Sequence, residues 1–144
     1  MYKKILVTLE NSLADESILA HVTELAARFQ SQILLLHVAD GWVARNFHRL
    51  KLTESEEMKT DRRYLESIAE KFRARGLDAA IQLALGDPPA EIVRIAEAEK
   101  CNLIAMASHG HRFFGDFFLG STIHQVRHKT RIPILLVRAG TSNL

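Results

Sequence analysis

The chain has 144 residues, of which 47% are hydrophobic and 25% charged. This composition is typical of a soluble globular protein with a buried core, and we expect residues 1–144 to form a single domain. Lys and Arg number 19 and Asp and Glu 17, so the formal charge of +2 gives no strong field. Nucleic acid is therefore not expected as a partner.

The cysteine content and the hydrophobicity of the start of the chain indicate a compartment. Cys101 is the only cysteine, which excludes an intramolecular disulfide and suits a reducing environment. No early stretch has the length and apolar density of a signal peptide or a membrane span. We therefore expect a cytoplasmic protein with no membrane partner, in which Cys101 is a packing residue rather than a nucleophile.

The first part of the chain predicts a strand, a helix and a second strand. Lys3–Leu9 is short and apolar, as a strand is. Ser12 with Asp15 resembles a capping box that opens a helix. The helix has apolar residues at helical spacing, namely Ile18, Val22, Leu25, Ala26 and Phe29. Gln32–Val38 is nearly all apolar, which indicates a strand covered on both faces.

The middle of the chain predicts a long polar helix and an outer strand. Thr53 with Glu56 forms a capping box, and the helix continues to about Arg75. Its expected buried stripe consists of Met58, Leu65, Ile68 and Phe72. Gly76 follows the helix, where a left-handed C-cap is expected. Leu77–Leu85 alternates more than the second strand and so belongs nearer an edge.

The last part of the chain completes the alternation of strands and helices. Asp87 with Pro88 is a helix start, and Leu103–Gly110 is an apolar strand that runs into a glycine-containing loop. A further helix is expected over about Ser121–Lys129, and Ile132–Val137 is the fifth strand. This order predicts an α/β fold with a five-stranded parallel sheet and helices on both faces.

The ends of three strands are expected to meet. In parallel α/β sheets, ligands bind beyond the carboxyl ends of the strands, where the strand order reverses. The residues that the pattern brings to this edge are Thr8, Leu9 and Glu10; Val38, Ala39 and Asp40; and Ala107, Ser108, His109 and Gly110.

The loop after the fourth strand predicts an anion site. Gly120, Ser121 and Thr122 are expected to open the last helix, whose free N–H groups and positive end attract phosphate oxygens. Two loop-shaping glycines with no ligand are the alternative. His109 and His111 flank Gly110 and either donate hydrogen bonds to phosphates or lie on the surface of the loop.

Several of these residues resemble the universal stress protein family. The similarity rests on the opening strand and turn (Lys4–Ser12), the strand ending Leu36-His37-Val38 and the closing Ile134–Arg138. It rests also on the nucleotide motif Gly-x2-Gly-x9-Gly-[Ser/Thr]: Gly110, nine residues, Gly120 and Ser121 fit it, with Ala107 at the first glycine position. The resemblance spans essentially the whole chain.

The resemblance implies an adenine nucleotide alpha hydrolase-like fold that holds ATP, AMP or ADP, with Mg²⁺ as an accompanying ion. By position, Thr8, Leu9 and Val38 would line the adenine pocket. Glu10 takes the place of an aspartate near the ribose and phosphates. The phosphate cradle would consist of Met106, Ala107, Ser108, His109, Gly110, Gly120, Ser121 and Thr122.

Two residues depart from the family pattern. If position 107 requires a positive φ, Ala107 is strained by on the order of a kcal/mol and crowds the ligand. If φ is negative there, the alanine is harmless. Glu10 is one methylene longer than the family aspartate, so its carboxylate reaches a different place.

Three further features have a structural and a functional interpretation. His124 and His128 have the spacing of two metal ligands, but a partly buried helix face is favoured, and no metal is expected. The segment from Trp42 to Lys51 is read as ordinary packing, although a lid over the crevice is the alternative. Four phenylalanines inside the nucleotide loop indicate packing or a partner surface, namely Phe113, Phe114, Phe117 and Phe118.

The last strand predicts a homodimer. Pro133 suits the beginning of a strand or an edge, and an exposed apolar edge invites pairing. Pairing of two copies through Ile132–Arg138 would cover this edge, as the resemblance also implies.

The expected function is therefore that of a stress or signalling protein that binds ATP with slow or absent turnover. No convincing general base, metal-ligand set or arginine finger is found. The alternative is a homodimeric protein-interaction module of the same family that binds no nucleotide. A hydrolytic enzyme is a third reading.

Overall fold

Five parallel strands form one sheet in the computed structural model, which describes residues 1–39, 56–108 and 117–140, the residues 117–119 by their backbone alone. The strands are β1 (Lys4–Thr8), β2 (Gln32–Ala39), β3 (Ala79–Leu85), β4 (Leu103–Ser108) and β5 (Ile134–Arg138). The helices are α1 (Asp15–Phe29), α2 (Glu56–Ala74), α3 (Pro88–Ala98) and α4 (Phe117–Lys129). The strand order β3-β2-β1-β4-β5 confirms the predicted fold class.

Two hydrophobic cores lie on opposite faces of the sheet. Because side chains alternate along a strand, Ile33 and Leu35 of β2 face one core while Leu34 and Leu36 face the other. The first core is closed by α1 and α2, the second by α3 and α4. The predicted burial of β2 on both faces is thus confirmed, and each fully buried Leu or Ile contributes about 1.5–3 kcal/mol.

The two outer strands are β3 and β5. The prediction that the third strand lies nearer an edge is therefore confirmed. In β5, the side chain of Leu136 is 47% exposed, although its neighbour Val137 is buried. No described helix is both long enough and apolar enough to cross a bilayer.

Local signals at several helix ends are confirmed. Gly76, just beyond α2, has a φ of +79°, a left-handed conformation that glycine adopts without strain. Asp87 caps α3, because its carboxylate accepts from the N–H of Ala90 at 3.4 Å, and Pro88 occupies the first turn. Thr53 of the expected capping box lies outside the described residues.

The capping box expected from Ser12 and Asp15 is present, but it lies in the turn ahead of the helix: the Ser12 N–H donates to the Asp15 carboxylate at 3.4 Å, and the Ser12 hydroxyl accepts from the Ala14 N–H at 3.3 Å. Helix α1 begins at Asp15 itself, and its N-cap residue, Ala14, makes no side-chain cap. The Asp15 carboxylate also reaches further back along the chain and accepts from the N–H groups of Glu10 at 3.0 Å and Asn11 at 2.8 Å. A carboxylate in the first helical turn can satisfy either its own helix or the preceding loop, and the buried Asp15 carboxylate satisfies the loop.

The start of the last helix is also corrected. Helix α4 begins at Phe117, so Gly120 lies in its first turn instead of ahead of it. The N–H groups that lack an intrahelical acceptor thus include those of Phe117, Phe118 and Leu119, whereas those of Ser121 and Thr122 belong to the helical ladder. A glycine in a first turn costs only about 1 kcal/mol and does not stop a helix from starting earlier.

Candidate functional site

The sheet separates between β1 and β4 towards the carboxyl ends of these strands. Their pairing ends at Val7 and Ala105, whereas β4 stays paired with β5 as far as Ser108 and Arg138. Beyond Val7, the chain stays bonded to β2, on the side away from β4: the N–H of Leu9 donates to the carbonyl oxygen of Leu36 at 2.8 Å. We call this opening the β1–β4 gap. It lies where the strand order reverses, as predicted.

Strand alternation distributes the expected site residues over two faces. Thr8, Val38 and Met106 lie on the face of α3 and α4, and Met106 is fully buried in that core. Leu9 and Ala107 lie on the face of α1 and α2, where both are buried. The Leu9 and Met106 side chains are therefore part of the apolar walls below the gap.

Ala107 fits its position without strain. It lies in β4 and is absent from the residues with positive φ, so the harmless alternative for this alanine holds. Its methyl group is 2% exposed and packs in the core beneath α1 and α2. Since Ile104 and Ser108 bond to β5, alternation along the strand directs the N–H of Ala107 towards the β1–β4 gap.

Four residues of the predicted phosphate cradle differ in exposure and already make contacts within the protein or lie in the helix. Gly120 and Ser121 are exposed on α4, and the Ser121 hydroxyl accepts from the Gln125 amide at 3.1 Å. Thr122 is buried. Ser108 is half-buried, and its carbonyl accepts from the N–H of Ala139 at 2.8 Å.

Other predicted residues lie outside the described part of the chain. They are Asp40, the segment from Trp42 to Lys51, His109, Gly110, His111, Phe113 and Phe114, as well as the side chains of Phe117 and Phe118.

A buried carboxylate organises the loop beside the gap. Asp15 is 1% exposed and accepts from the backbone of Glu10 and Asn11 and from the Tyr64 hydroxyl, the last at 2.6 Å. Asn11 has a φ of +62°, a conformation that asparagine tolerates better than most residues. The hydrogen bonds to Asp15 thus hold the loop from Leu9 to Ser12 in place.

A second polar pair joins the same loop to α2. The Nδ1 atom of His37 lies 2.7 Å from the carbonyl oxygen of Leu9, and its Nε2 atom lies 3.3 Å from Oδ2 of Asp61. Asp61 also accepts from the Asn11 side-chain amide at 3.3 Å. These contacts surround an open cavity of about 380 Å³ lined by Glu10, Asn11, His37, Glu57, Thr60 and Asp61.

Sequence reasoning missed this polar network. His37 was recognised only as part of a family-like strand ending, and Asp15 only as a capping residue. Asp61 carried a weak signal, because it falls on the apolar stripe of α2 between Met58 and Leu65. A charged residue at a stripe position indicates a buried partner, although it does not identify that partner.

Two other candidates have no chemical role in the described structure. Burial raises the pKa of the Cys101 thiol to about 11, which suits the expected packing residue. His124 and His128 form an edge-to-face ring pair with centroids 4.6 Å apart. Within 1–39, 56–108 and 117–140, no three His, Cys, Asp or Glu side chains are grouped to hold a metal ion.

Comparison with known proteins gives a match over nearly the whole chain. The universal stress protein family model matches residues 1–138. Universal stress protein MJ0577 of Methanocaldococcus jannaschii is 29% identical over 164 residues, which cover 99% of this chain and 98% of that protein. A solved structure of MJ0577 has a TM-score of 0.78 at 30% identity and covers 99% of both chains.

Two further structures share the fold at lower identity. A universal stress protein from Archaeoglobus fulgidus in complex with dAMP has a TM-score of 0.70 at 19% identity, covering 94% of this chain and 98% of its own. A universal stress protein in complex with cAMP has a TM-score of 0.68 at 16% identity, covering 96% and 98%.

Proposed function

This chain belongs to the universal stress protein family, and from that membership we propose that it binds an adenine nucleotide at the β1–β4 gap. The observation that carries the proposal is the separation of β1 from β4 beyond Val7 and Ala105. This separation opens a crevice at the one place in a doubly wound sheet where ligands ordinarily bind.

The groups around the gap suit the parts of a nucleotide. The Ala107 N–H points towards it, and α4 follows β4 with a helix start that favours phosphate oxygens. Thr8 and Val38 are half-buried on the same face and offer an apolar wall for a base. Glu10, the second residue after β1, would accept hydrogen bonds from ribose hydroxyls.

The likeness to two nucleotide complexes supports adenine as the base. Relatives of this fold hold dAMP and cAMP, which share adenine and one phosphate. We propose ATP as the first ligand to test, with AMP and ADP beside it. The full proposed contact set is Thr8, Leu9, Glu10, Val38, Met106, Ala107, Ser108, His109, Gly110, His111, Gly120, Ser121 and Thr122.

The proposal concerns binding alone. Within the described ranges the acidic side chains form no cluster that would hold Mg²⁺, so no step is assigned to that ion. A nucleotide would stabilise one arrangement of the segment between Ala107 and Gly120, and this change would be the signal.

The experiment measures ATP, ADP and AMP binding by equilibrium dialysis and identifies any nucleotide released when the purified protein is denatured. Val38→Glu places a negative charge beside the gap and is expected to weaken binding about tenfold or more, because it repels phosphate. Val93→Glu is the matched control, since this half-buried valine lies in the same core on α3, which packs on β2 and β3. Equal loss in both variants, or no binding by the unmodified protein at millimolar nucleotide, would contradict the proposal.

We also propose that two copies pair through β5. The exposed Leu136 on this outer strand supports the pairing, because an apolar edge with free backbone groups favours a second strand. If nucleotide binding fails while the dimer persists, the protein is better described as an interaction module.

A further inference from the structure

His37 lies between the loop that borders the proposed site and the helix that covers it. Its Nδ1 atom is 2.7 Å from the carbonyl oxygen of Leu9, and its Nε2 atom is 3.3 Å from Oδ2 of Asp61. The imidazole therefore bridges the end of β1 and α2 with its two nitrogens. Both His37 and Asp61 have side chains that are largely buried, 17% and 11% exposed.

The chemistry of the two partners determines the protons on this ring. A backbone carbonyl only accepts hydrogen bonds, so Nδ1 carries a proton and donates to Leu9. An ionised carboxylate also only accepts, and Asp61 already accepts from the Asn11 amide on its other oxygen. An unprotonated Nε2 would leave its partial negative charge 3.3 Å from that carboxylate, with no hydrogen between them. The arrangement is therefore satisfied by the doubly protonated, cationic imidazole.

The charges that face His37 also favour the cationic form of its ring. Glu10 approaches from the loop after β1, and Glu57 and Asp61 approach from α2. The paired residue on β3 is Leu83, which carries no charge. The described cations of this part of α2, Lys59, Arg62 and Arg63, line a separate groove with Glu56 and are not among the residues that line the cavity. Among the described residues, the titratable groups that line the cavity with His37 are therefore Glu10, Glu57 and Asp61, which are all acids.

We propose that His37 is a positioning residue whose protonated form holds the loop from Leu9 to Ser12 in its binding arrangement, so that nucleotide affinity falls as the pH rises. This inference rests on the proposed function, because the loop borders the β1–β4 gap. The ligand class is the adenine nucleotide already proposed. The inference adds that the protein binds a proton on His37 together with the nucleotide.

Loss of the Nε2 proton removes one of the contacts that hold the loop, while the backbone bonds from Glu10 and Asn11 to Asp15 remain. The neutral ring still donates from Nδ1 to Leu9 but repels the Asp61 carboxylate. Asp61 then moves away, and the hydrogen bond from the Asn11 side-chain amide to Asp61 is lost. Histidine is the side chain whose charge ordinarily changes within the physiological pH range, which sets the range over which binding is compared.

The experiment compares the pH dependence of AMP binding in three proteins. His37→Asn keeps an amide nitrogen near the position of Nδ1 and so preserves the bond to Leu9, but it carries no charge. His21→Asn is the control, because His21 is exposed on α1 and its ring nitrogen lies 3.1 Å from the Ser17 carbonyl oxygen of the same helix. Ionisation of AMP itself is common to all three proteins and cancels in the comparison.

Between about pH 5.5 and about pH 8, the Kd of the unmodified protein is expected to rise at least about fivefold more than that of His37→Asn, a ratio at the low end of typical coupling between sites. The His21→Asn protein is expected to follow the unmodified one. Parallel profiles for the unmodified and His37→Asn proteins would overturn the inference.

A second variant and a ligand-free measurement separate this inference from the proposed function. Asp61→Asn supplies an amide that can donate to an unprotonated Nε2, so it is expected to flatten the pH profile while retaining binding at pH 8. The ring ¹⁵N resonances of His37 without ligand report which nitrogens carry protons, and both are expected to be protonated at the acidic end of the range over which AMP binding is compared. A neutral ring there overturns the inference, whereas absence of AMP binding at every pH overturns the proposed function.

Discussion

The hydroxyl of Tyr64 donates to the carboxylate of Asp15 at 2.6 Å and so joins two helices across 49 positions of sequence. Asp15 uses its remaining acceptor capacity on the backbone of Glu10 and Asn11. One buried carboxylate thus fixes the start of α1, the middle of α2 and the loop between β1 and α1. Burial, followed by the hydrogen bond to Asp15, raises the pKa of Tyr64 well above its usual range.

Tyr64→Phe is expected to destabilise the protein by about 1–2 kcal/mol, because a hydrogen bond to a charged acceptor is lost while the ring still packs. Urea denaturation followed by circular dichroism measures this change. Tyr2→Phe is the control, since its ring keeps the edge-to-face contact with Phe29. An equal effect in the two variants would argue against a special role of the Asp15 bond.

The raised pKa of Tyr64 predicts a loss of stability at alkaline pH. An unfolded tyrosine releases its proton near the ordinary value of 10.0, whereas the folded one retains it. Above that pH the unfolded state therefore binds fewer protons, and the free energy of unfolding falls as the pH rises. Melting temperatures between about pH 9 and about pH 11 should fall more steeply for the unmodified protein than for Tyr64→Phe. Parallel curves would contradict this expectation.

Hydrophobic periodicity was sufficient to predict the fold, but not the polar network. The apolar runs in Ile33–Leu36 and Leu103–Met106 and the stripe of α2 are local patterns that burial imposes directly on the sequence. The partners of Asp15 and His37 are distant in sequence and depend on how elements pack. The start of α4 was misplaced because Gly120-Ser121-Thr122 resembles a helix opening, whereas tertiary structure allows an earlier start.

Ala107→Gly tests whether this alanine matters to the ligand. Its methyl group is buried in the core and its backbone is extended, so we expect a loss of stability of about 1 kcal/mol and an AMP affinity within about twofold of the original. Ala105→Gly is the matched control, because Ala105 is buried on the same face of β4. A marked gain in affinity for Ala107→Gly alone would show that the methyl group crowds the site.

Cys101 is expected to react slowly with thiol reagents. It is 5% exposed, and burial raises the pKa of its thiol to about 11. At about pH 8 the thiolate fraction is on the order of a hundredfold below that of an unperturbed cysteine, and access is restricted as well. Labelling with a chromogenic disulfide should be fast in denaturant and slow without it. Comparable rates would contradict the burial.

Leu136→Glu tests the proposed pairing of two copies through β5. A carboxylate at this exposed edge position repels its counterpart in a second copy, so the variant should sediment as a monomer if the unmodified protein is a dimer. Leu13→Glu is the control, because Leu13 is another strongly exposed leucine in the turn before α1. A monomeric unmodified protein would contradict the pairing.

The anchoring of Gly140 has a practical consequence for attaching labels and affinity handles. Its N–H donates to the Ser17 hydroxyl at 2.8 Å, which brings the chain beyond β5 against the first turn of α1. Since all strands run in the same direction, this end of the chain leaves the molecule on the rim that carries the β1–β4 gap, whereas Met1 lies on the opposite rim. If a nucleotide binds at the β1–β4 gap as proposed, a fluorophore or purification handle fused before Met1 is expected to lie farther from it than one fused at the other end of the chain.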